Sequence, residues 1–144
     1  MTTTPPPPPG FAPTQRFGAF HDFVGPFYEM VLDENRCVVG MYVLDHHLNN
    51  GRNLHGGMYL TLADTAMTSG AARHAQKHGV FVTTTLSSEF LAAAKPGEWI
   101  EAEVEVLKAG RRMVYVTCVV RRGRAGTEPL FRASATFFVK QPKA

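Results

Sequence analysis

The hydrophobic and polar positions of this 144-residue chain follow two different periods. In residues 99–107 every second position is apolar and glutamates occupy positions between them. Such alternation is typical of a β-strand with one buried and one solvated face. Strands are predicted for six ranges: residues 27–32, 37–43, 82–90, 99–107, 113–120 and 130–139.

One long helix is predicted from residue 58 to about residue 77, a stretch without proline. Its middle is small and apolar on nearly every side, which indicates that other elements surround it. The aromatic-rich residues 17–23 are predicted to form either a short helix or a packed entry segment. Short connections at 33–36, 95–97 and 109–111 indicate that the strands they join are antiparallel neighbours. We therefore predict an α+β domain, a single curved antiparallel sheet around one central helix.

The first fifteen residues differ in composition from the remainder. They contain five consecutive prolines, Pro5 to Pro9. Such a segment favours polyproline II and buries almost nothing, so we predict a disordered or extended proline-rich tail in residues 1–15. Residues 16–144 are predicted to form the folded domain.

Composition and charge narrow the class of protein. The net charge is +3 and the isoelectric point about 9.1, but the basic clusters are not interleaved with aromatic residues, so we expect no nucleic-acid partner. No apolar run reaches the length of a membrane helix and no leader pattern is visible, so no membrane partner and a cytoplasmic location are expected. Cys37 and Cys118 lie in apolar strand segments and are predicted to be reduced core residues.

The candidate chemistry lies where the chain enters the long helix. Gly56 and Gly57 stand at its predicted start, where N–H groups have no partner within the helix and can face a substrate oxygen. Asp64, two turns later, shares an apolar face with Met67 and Ala71. A carboxylate on that face is costly unless it has a function.

This order of elements, with Asn49, His55-Gly56-Gly57 and Asp64, resembles the hotdog-fold acyl-CoA thioesterases, in particular the PaaI-like branch of the phenylacetate pathway. The resemblance covers roughly residues 20–140. It implies a hotdog fold, hydrolysis of an acyl-CoA thioester, and no cofactor beyond the coenzyme A of the substrate. It also implies a homodimer or homotetramer with the active site at a subunit interface.

The resemblance assigns roles to residues of the long helix and the strand after it. The Gly56 amide, with Gly57 as a second donor, would polarise the thioester carbonyl. Asp64 would be the general base or the nucleophile, and Thr83 from the partner subunit would orient Asp64 or the water. Thr68, one turn after Asp64, is a candidate contact for the same water. Because Gly56 and Asp64 are about 12 Å apart along one helix, we expect one substrate group to meet them from two different subunits.

The resemblance also implicates residues outside that helix. Asn49 would hold the water or the thioester, and His55 would lie beside the acyl channel and fix the turn. Lys108, Arg111 and Arg112 are candidates for the phosphates of coenzyme A. The expected channel lining is Met58, Leu62, Met67, Phe81 and Phe90.

Three competing interpretations stay open. The first is a metal site, since Asp45, His46 and His47 with His55 could gather a metal, and so could His74 and His78 at helical spacing. We expect no metal, because the second pair lacks an intervening glutamate and suits the negative end of the helix dipole. The second interpretation is a hotdog dehydratase or hydratase, and the third is a non-catalytic acyl-CoA-binding protein.

Overall fold

The computed structural model describes residues 3–15, 17–74, 79–124 and 128–141. In that part of the chain, seven strands form one antiparallel sheet and one long helix lies within its curve. The elements are β1 (Ala12–Pro13), α1 (Ala19–Val24), β2 (Tyr28–Val31), β3 (Arg36–Tyr42), α2 (Gly56–His74), β4 (Val80–Phe90), β5 (Trp99–Ala109), β6 (Met113–Arg121) and β7 (Pro129–Lys140). The predicted α+β hotdog architecture is confirmed.

The strand order is β1-β2-β3-β5-β6-β7-β4. Hairpins join β2 to β3 and β5 to β6, as their short connections predict. The prediction that β4 and β5 are neighbours is wrong, because β4 pairs with β7 instead. Residues 91–98 are long enough to cross to the other half of the sheet, and this crossing segment is held by Ala94, whose carbonyl accepts the Leu54 N–H at 2.9 Å.

The main core lies between α2 and the concave face of the sheet. Met58, Leu62 and Met67 point into it and are buried, so they do not line an open channel as expected from the sequence. The helix approaches β5 closely at Gly70, where an added Cβ would lie 2.7 Å from Val104 Cγ1. Glycine, which has no Cβ, therefore fits this crossing without a shift of Val104.

Cys37 and Cys118 are buried free thiols, as predicted. Burial raises the pKa of Cys37 to about 11 and that of Cys118 to about 12. Both therefore remain protonated at neutral pH and act as small apolar core residues.

The proline-rich segment is packed against the sheet, which differs from the prediction that it buries almost nothing. Residues 3–14, which we call the strap, run along the convex face and end in β1, which pairs with β2. The Tyr42 hydroxyl donates to the Pro6 carbonyl at 3.0 Å, and the Phe11 ring meets Trp99 edge-to-face at 5.1 Å. Aromatic surface on the sheet thus gives a proline segment something to pack on, which composition alone does not reveal.

The glutamate face of β5, which the alternation predicts to be solvated, is partly buried in the structure. Glu101 alternates with the core positions of β5 but is only 6% exposed, and the Trp99 indole N–H donates to its carboxylate at 2.8 Å. Burial raises the pKa of Glu101. Val38, which faces the same side of the sheet, is fully buried as well.

Candidate active site

An open cavity of about 700 Å³ lies where α2 is not covered by the sheet. On one side it is bounded by the α1 region and on the other by β4, the last strand of the sheet. Its lining is apolar except for one carboxylate, one histidine and several threonines. The lining residues are Phe17, Phe20, His21, Leu60, Thr61, Asp64, Thr65, Thr68, Thr83 and Leu86.

Asp64 lies at the wall of this cavity, half-buried at the edge of the apolar face of α2. The Thr83 hydroxyl donates to Asp64 Oδ1 at 2.7 Å. The sequence resemblance implies a threonine from the partner subunit, but in the structure Thr83 of the same chain makes this bond. It can do so because β4 returns beside α2 with Thr83 on the face turned toward the helix. Thr68 lines the same cavity, one turn beyond Asp64.

The helix entry presents one free amide rather than two. The Gly57 N–H donates to His55 Nδ1 at 2.8 Å, so this amide is already occupied and Gly57 is not a second donor in this structure. In the described part of the chain, the Gly56 N–H has no hydrogen-bond acceptor. The Phe90 ring lies against Gly56, where an added Cβ would be 3.1 Å from Cε1. Glycine at position 56 therefore leaves room for the Phe90 ring beside this amide.

Asn49 has a structural contact of its own. Its side-chain oxygen accepts the Asn53 N–H at 3.1 Å, and its backbone N–H donates to the Asn53 carbonyl at 2.8 Å. These bonds close the turn before α2, in which Arg52 adopts a positive φ of 57°. Asn49, His55 and Gly56 do not line the Asp64 cavity.

Within one chain, Gly56 and Asp64 are therefore not brought together. Eight residues of straight helix separate them, about 12 Å along the axis. Gly56 lies near Phe90 at the end of β4, whereas Asp64 lies near Thr83 toward its beginning. Beyond β4, the described residues provide no further strand, so the outer edge of β4 is unpaired in the single chain.

The candidate phosphate ligands lie at the turn between β5 and β6. Arg111 and Arg112 are exposed and line a surface pocket of about 530 Å³ together with Lys140. Lys108 is exposed near the end of β5. None of these basic side chains lines the Asp64 cavity.

The histidines considered as metal ligands have other contacts. His47 is buried, its Nε2–H donates to the Val24 carbonyl at 2.7 Å, and its Nδ1 accepts the Leu44 N–H at 3.0 Å. His74 Nδ1 is hydrogen-bonded to the Glu34 carbonyl, and His78 lies outside the described residues. Among the described residues, no three histidine, cysteine, aspartate or glutamate side chains are grouped so that they could hold a metal ion.

Sequence reasoning missed the part of the cavity that comes from the N-terminal region. Phe17, Phe20 and His21 line it, and burial lowers the pKa of His21, which favours the neutral imidazole. The only signal was the aromatic richness of residues 17–23. Of the expected channel residues, Phe90 lies against Gly56 and Phe81 lines an adjoining cavity of about 870 Å³.

Comparison with known proteins identifies the family to which this chain belongs. The sequence profile of the thioesterase superfamily matches residues 51–128, a range that includes Gly56, Asp64 and Thr83. The chain belongs to this superfamily. The Pseudomonas aeruginosa protein PA0474 is named as a candidate esterase. It is 31% identical to this chain over 114 residues, which cover 79% of this chain and 85% of PA0474.

Solved structures agree with the fold of this thioesterase-superfamily chain. Zebrafish thioesterase superfamily member 2 has a TM-score of 0.71 and 26% identity, covering 78% of this chain and 80% of its own. The protein smu.793 from Streptococcus mutans, solved with acetyl-CoA bound, has a TM-score of 0.72 and 22% identity, covering 83% of this chain and 94% of its own. At that identity the second likeness shows the hotdog fold alone. In the described part of the chain, no helix is long and apolar enough to span a membrane.

Proposed function

We propose that this protein hydrolyses acyl-CoA thioesters to a free acid and coenzyme A, as a member of the PaaI-like branch. The observation that carries the proposal is the Asp64 carboxylate, held by the Thr83 hydroxyl at the wall of an apolar cavity of about 700 Å³. A cavity of that size accommodates an apolar acyl group, and the carboxylate supplies a base beside it. The acetyl-CoA bound to the S. mutans neighbour supports a coenzyme A ester as the substrate.

The arrangement supports a water-mediated reaction. Thr83 occupies Asp64 Oδ1, so Oδ2 remains to accept a proton from a water molecule while the water oxygen attacks the carbonyl carbon. The C–S bond then breaks, and the thiolate of coenzyme A takes up the proton that Asp64 accepted, which restores the carboxylate. Direct attack by Asp64, with water hydrolysing the resulting anhydride, is the second course that these groups allow.

The free Gly56 amide is the proposed donor to the carbonyl oxygen. One such donor typically contributes on the order of a hundredfold or more to the rate, because it stabilises the developing oxyanion. Since Gly56 and Asp64 of one chain are about 12 Å apart along α2, we propose that they act on the substrate from two subunits.

The unpaired edge of β4 supplies a route to that assembly. An exposed strand edge tends to pair, and two copies pairing antiparallel about a twofold axis would place the Phe90 end of one β4 beside the Thr83 end of the other. This brings the Gly56 amide of one subunit toward the Asp64 of the other. We therefore propose a homodimer, or a homotetramer made of such dimers. Sedimentation at micromolar concentration tests it, and a fully active monomer would contradict it.

Lys108, Arg111 and Arg112 are proposed to bind the nucleotide phosphates of coenzyme A. Such contacts are remote from the reaction, so a triple alanine variant should raise KM far more than it lowers kcat. The effect should be confined to full coenzyme A esters. An equal increase in KM for a truncated pantetheine ester would refute the assignment, because that ester lacks the nucleotide phosphates.

The central experiment is Asp64→Asn, assayed by thiol release from a panel of acyl-CoA esters. The substitution keeps the shape and removes the base, so we expect folding and assembly to persist while hydrolysis falls by about a hundredfold or more. Asp45→Asn is the matched control, because Asp45 is an exposed carboxylate outside the cavity. Activity of Asp64→Asn within threefold of the wild type would remove Asp64 from the mechanism. Binding of acyl-CoA by the wild type without thiol release would instead favour a non-catalytic binding protein.

A further inference from the structure

The strap lies on an aromatic surface that we call the platform, formed by Tyr28, Tyr42 and Trp99 on the convex face of the sheet. The Trp99 ring packs against Tyr42 at 4.9 Å and Tyr28 at 6.0 Å between ring centroids. It lies directly over Gly40, where an added Cβ would clash with Trp99 Cζ2. The absence of a side chain at Gly40 is what allows the indole to approach the sheet so closely.

The platform holds the strap by two kinds of contact. The Tyr42 hydroxyl donates to the Pro6 carbonyl, and Phe11 meets the Trp99 ring edge-to-face. Aromatic surfaces with a hydrogen-bond donor are the usual way in which proteins bind polyproline II segments, because the preformed extended backbone loses little entropy. The platform thus binds a proline-rich segment of its own chain.

The strap leads directly to the cavity wall. After β1, the Thr14 N–H donates to the Phe27 carbonyl at 3.0 Å, and Thr14 Oγ1 is hydrogen-bonded to His21 Nε2 at 3.3 Å. The His21 ring then contacts Phe17 at 5.2 Å between centroids. These contacts connect the end of the strap to two residues that line the Asp64 cavity.

The N-terminal half of α1 has little packing of its own to hold it at the cavity. Val24, at the other end of the helix, packs against the core and its carbonyl accepts from His47. Phe20 is 66% exposed although it lines the cavity, and no residue of α1 is buried. An element that buries so little apolar surface gains little stability from its own contacts. The N-terminal half of α1 therefore depends on the chain that precedes it, where Thr14 at the end of the strap is hydrogen-bonded to His21.

We propose that docking of the strap on the platform holds α1 at the cavity, and that Phe17 and Phe20 form the wall that favours long apolar acyl groups. The part concerning acyl groups rests on the proposed thioesterase function. The part concerning anchoring does not. In this arrangement Tyr42 and Phe11 are positioning residues, whereas Phe17 and Phe20 contact the acyl group.

The anchoring is tested without substrate on full-length variants. Phe11→Ala removes the ring on Trp99, and Tyr42→Phe removes the hydroxyl that holds Pro6. Trp99 is the single tryptophan of the chain, so its fluorescence and its quenching by acrylamide report release of the strap directly. We expect greater quenching in both variants, together with faster hydrogen exchange of the α1 amides. Tyr115→Phe, two strands away from β3, is the matched control and should change neither.

Two results would overturn the anchoring. One is Trp99 quenching unchanged by Phe11→Ala, which would mean that the strap is not docked in solution. The other is a released strap with unchanged exchange in α1, which would mean that the strap does not position the wall. Neither result depends on whether the protein is an enzyme.

The acyl selectivity is tested with octanoyl-CoA and acetyl-CoA. We expect Phe20→Ala and Phe11→Ala to raise KM for octanoyl-CoA by about tenfold with kcat nearly unchanged, the size expected when an apolar pocket contact is lost. The KM for acetyl-CoA should change much less, because its two-carbon acyl group offers little apolar surface to the wall. Phe23→Ala is the matched control, since Phe23 lies on α1 at 81% exposure but does not line the cavity.

Equal changes in KM for the two esters would overturn the selectivity, because the lost contact would then not be with the acyl group. The proposed function fails by itself only if the wild type hydrolyses no ester of the acyl-CoA panel. A wild type that hydrolyses neither octanoyl-CoA nor acetyl-CoA requires a binding measurement instead. In that case the dissociation constants of the same two esters are measured by calorimetry. The proposed selectivity then requires that Phe20→Ala lose the preference of the wild type for octanoyl-CoA over acetyl-CoA. The exchange measurement continues to decide the anchoring.

Discussion

Replacement of Thr83 by valine is the sharpest test of how Asp64 is held. Valine has nearly the same shape as threonine and suits a strand, so β4 should keep its pairing with β7. What is lost is one hydroxyl that donates to Asp64 Oδ1 at 2.7 Å. Hydrogen bonds to charged groups contribute about 1.5–3 kcal/mol, and partial exposure to water places this one near the lower end. We therefore expect kcat/KM to fall by about tenfold, which corresponds to about 1.4 kcal/mol.

The assay is thiol release from an acyl-CoA ester, with thermal unfolding measured on the same preparations. Thr83→Ser keeps the hydroxyl and should retain most of the activity. Thr85→Val is the matched control, because Thr85 lies on the same strand opposite Thr136 and does not line the cavity. The reasoning would be refuted if Thr83→Val stayed within twofold of the wild type, or if Thr85→Val lost as much activity.

Three further predictions concern stability. Gly40→Ala should push the Trp99 ring off the sheet and lower the Tm by about 4–10 °C, the range expected for overpacking, and unchanged Trp99 fluorescence would count against it. Because burial raises the pKa of Glu101, its carboxylate destabilises the folded state once the pH exceeds the ordinary pKa of about 4.5. The stability of Glu101→Gln relative to wild type, measured by urea unfolding, should therefore increase as the pH rises from 4 to 7. An equal difference at both pH values would contradict this. Burial lowers the pKa of His47, so the neutral imidazole should stabilise the fold above pH 6.5, and this contribution should decline as the pH falls below that value. His47→Gln should therefore be less stable than wild type at pH 7.5 but lose less free energy of unfolding than wild type between pH 7.5 and pH 5.

The sequence by itself determined which segments are strands and where the long helix lies. The alternation in residues 99–107 corresponds to β5, and the alanine-rich stretch that begins at the glycine pair corresponds to α2. These patterns are local, since burial of one face imposes a period of two on a strand and helical geometry imposes its own. The free amide at Gly56 is also predictable from the local sequence, because a helix start always leaves its first N–H groups without internal partners.

Only the tertiary structure decided what surrounds Asp64. The pairing of β4 with β7 brings Thr83 of the same chain to the carboxylate, and no local pattern encodes which strands become neighbours across a crossing connection. The same holds for the strap. Its prolines are compatible with a free tail, and the segment docks because the fold assembles Tyr42 and Trp99 from two different strands into one surface. Contacts between residues distant in sequence depend on the whole arrangement of the sheet, so the cavity wall and its anchor appear only once the chain is folded.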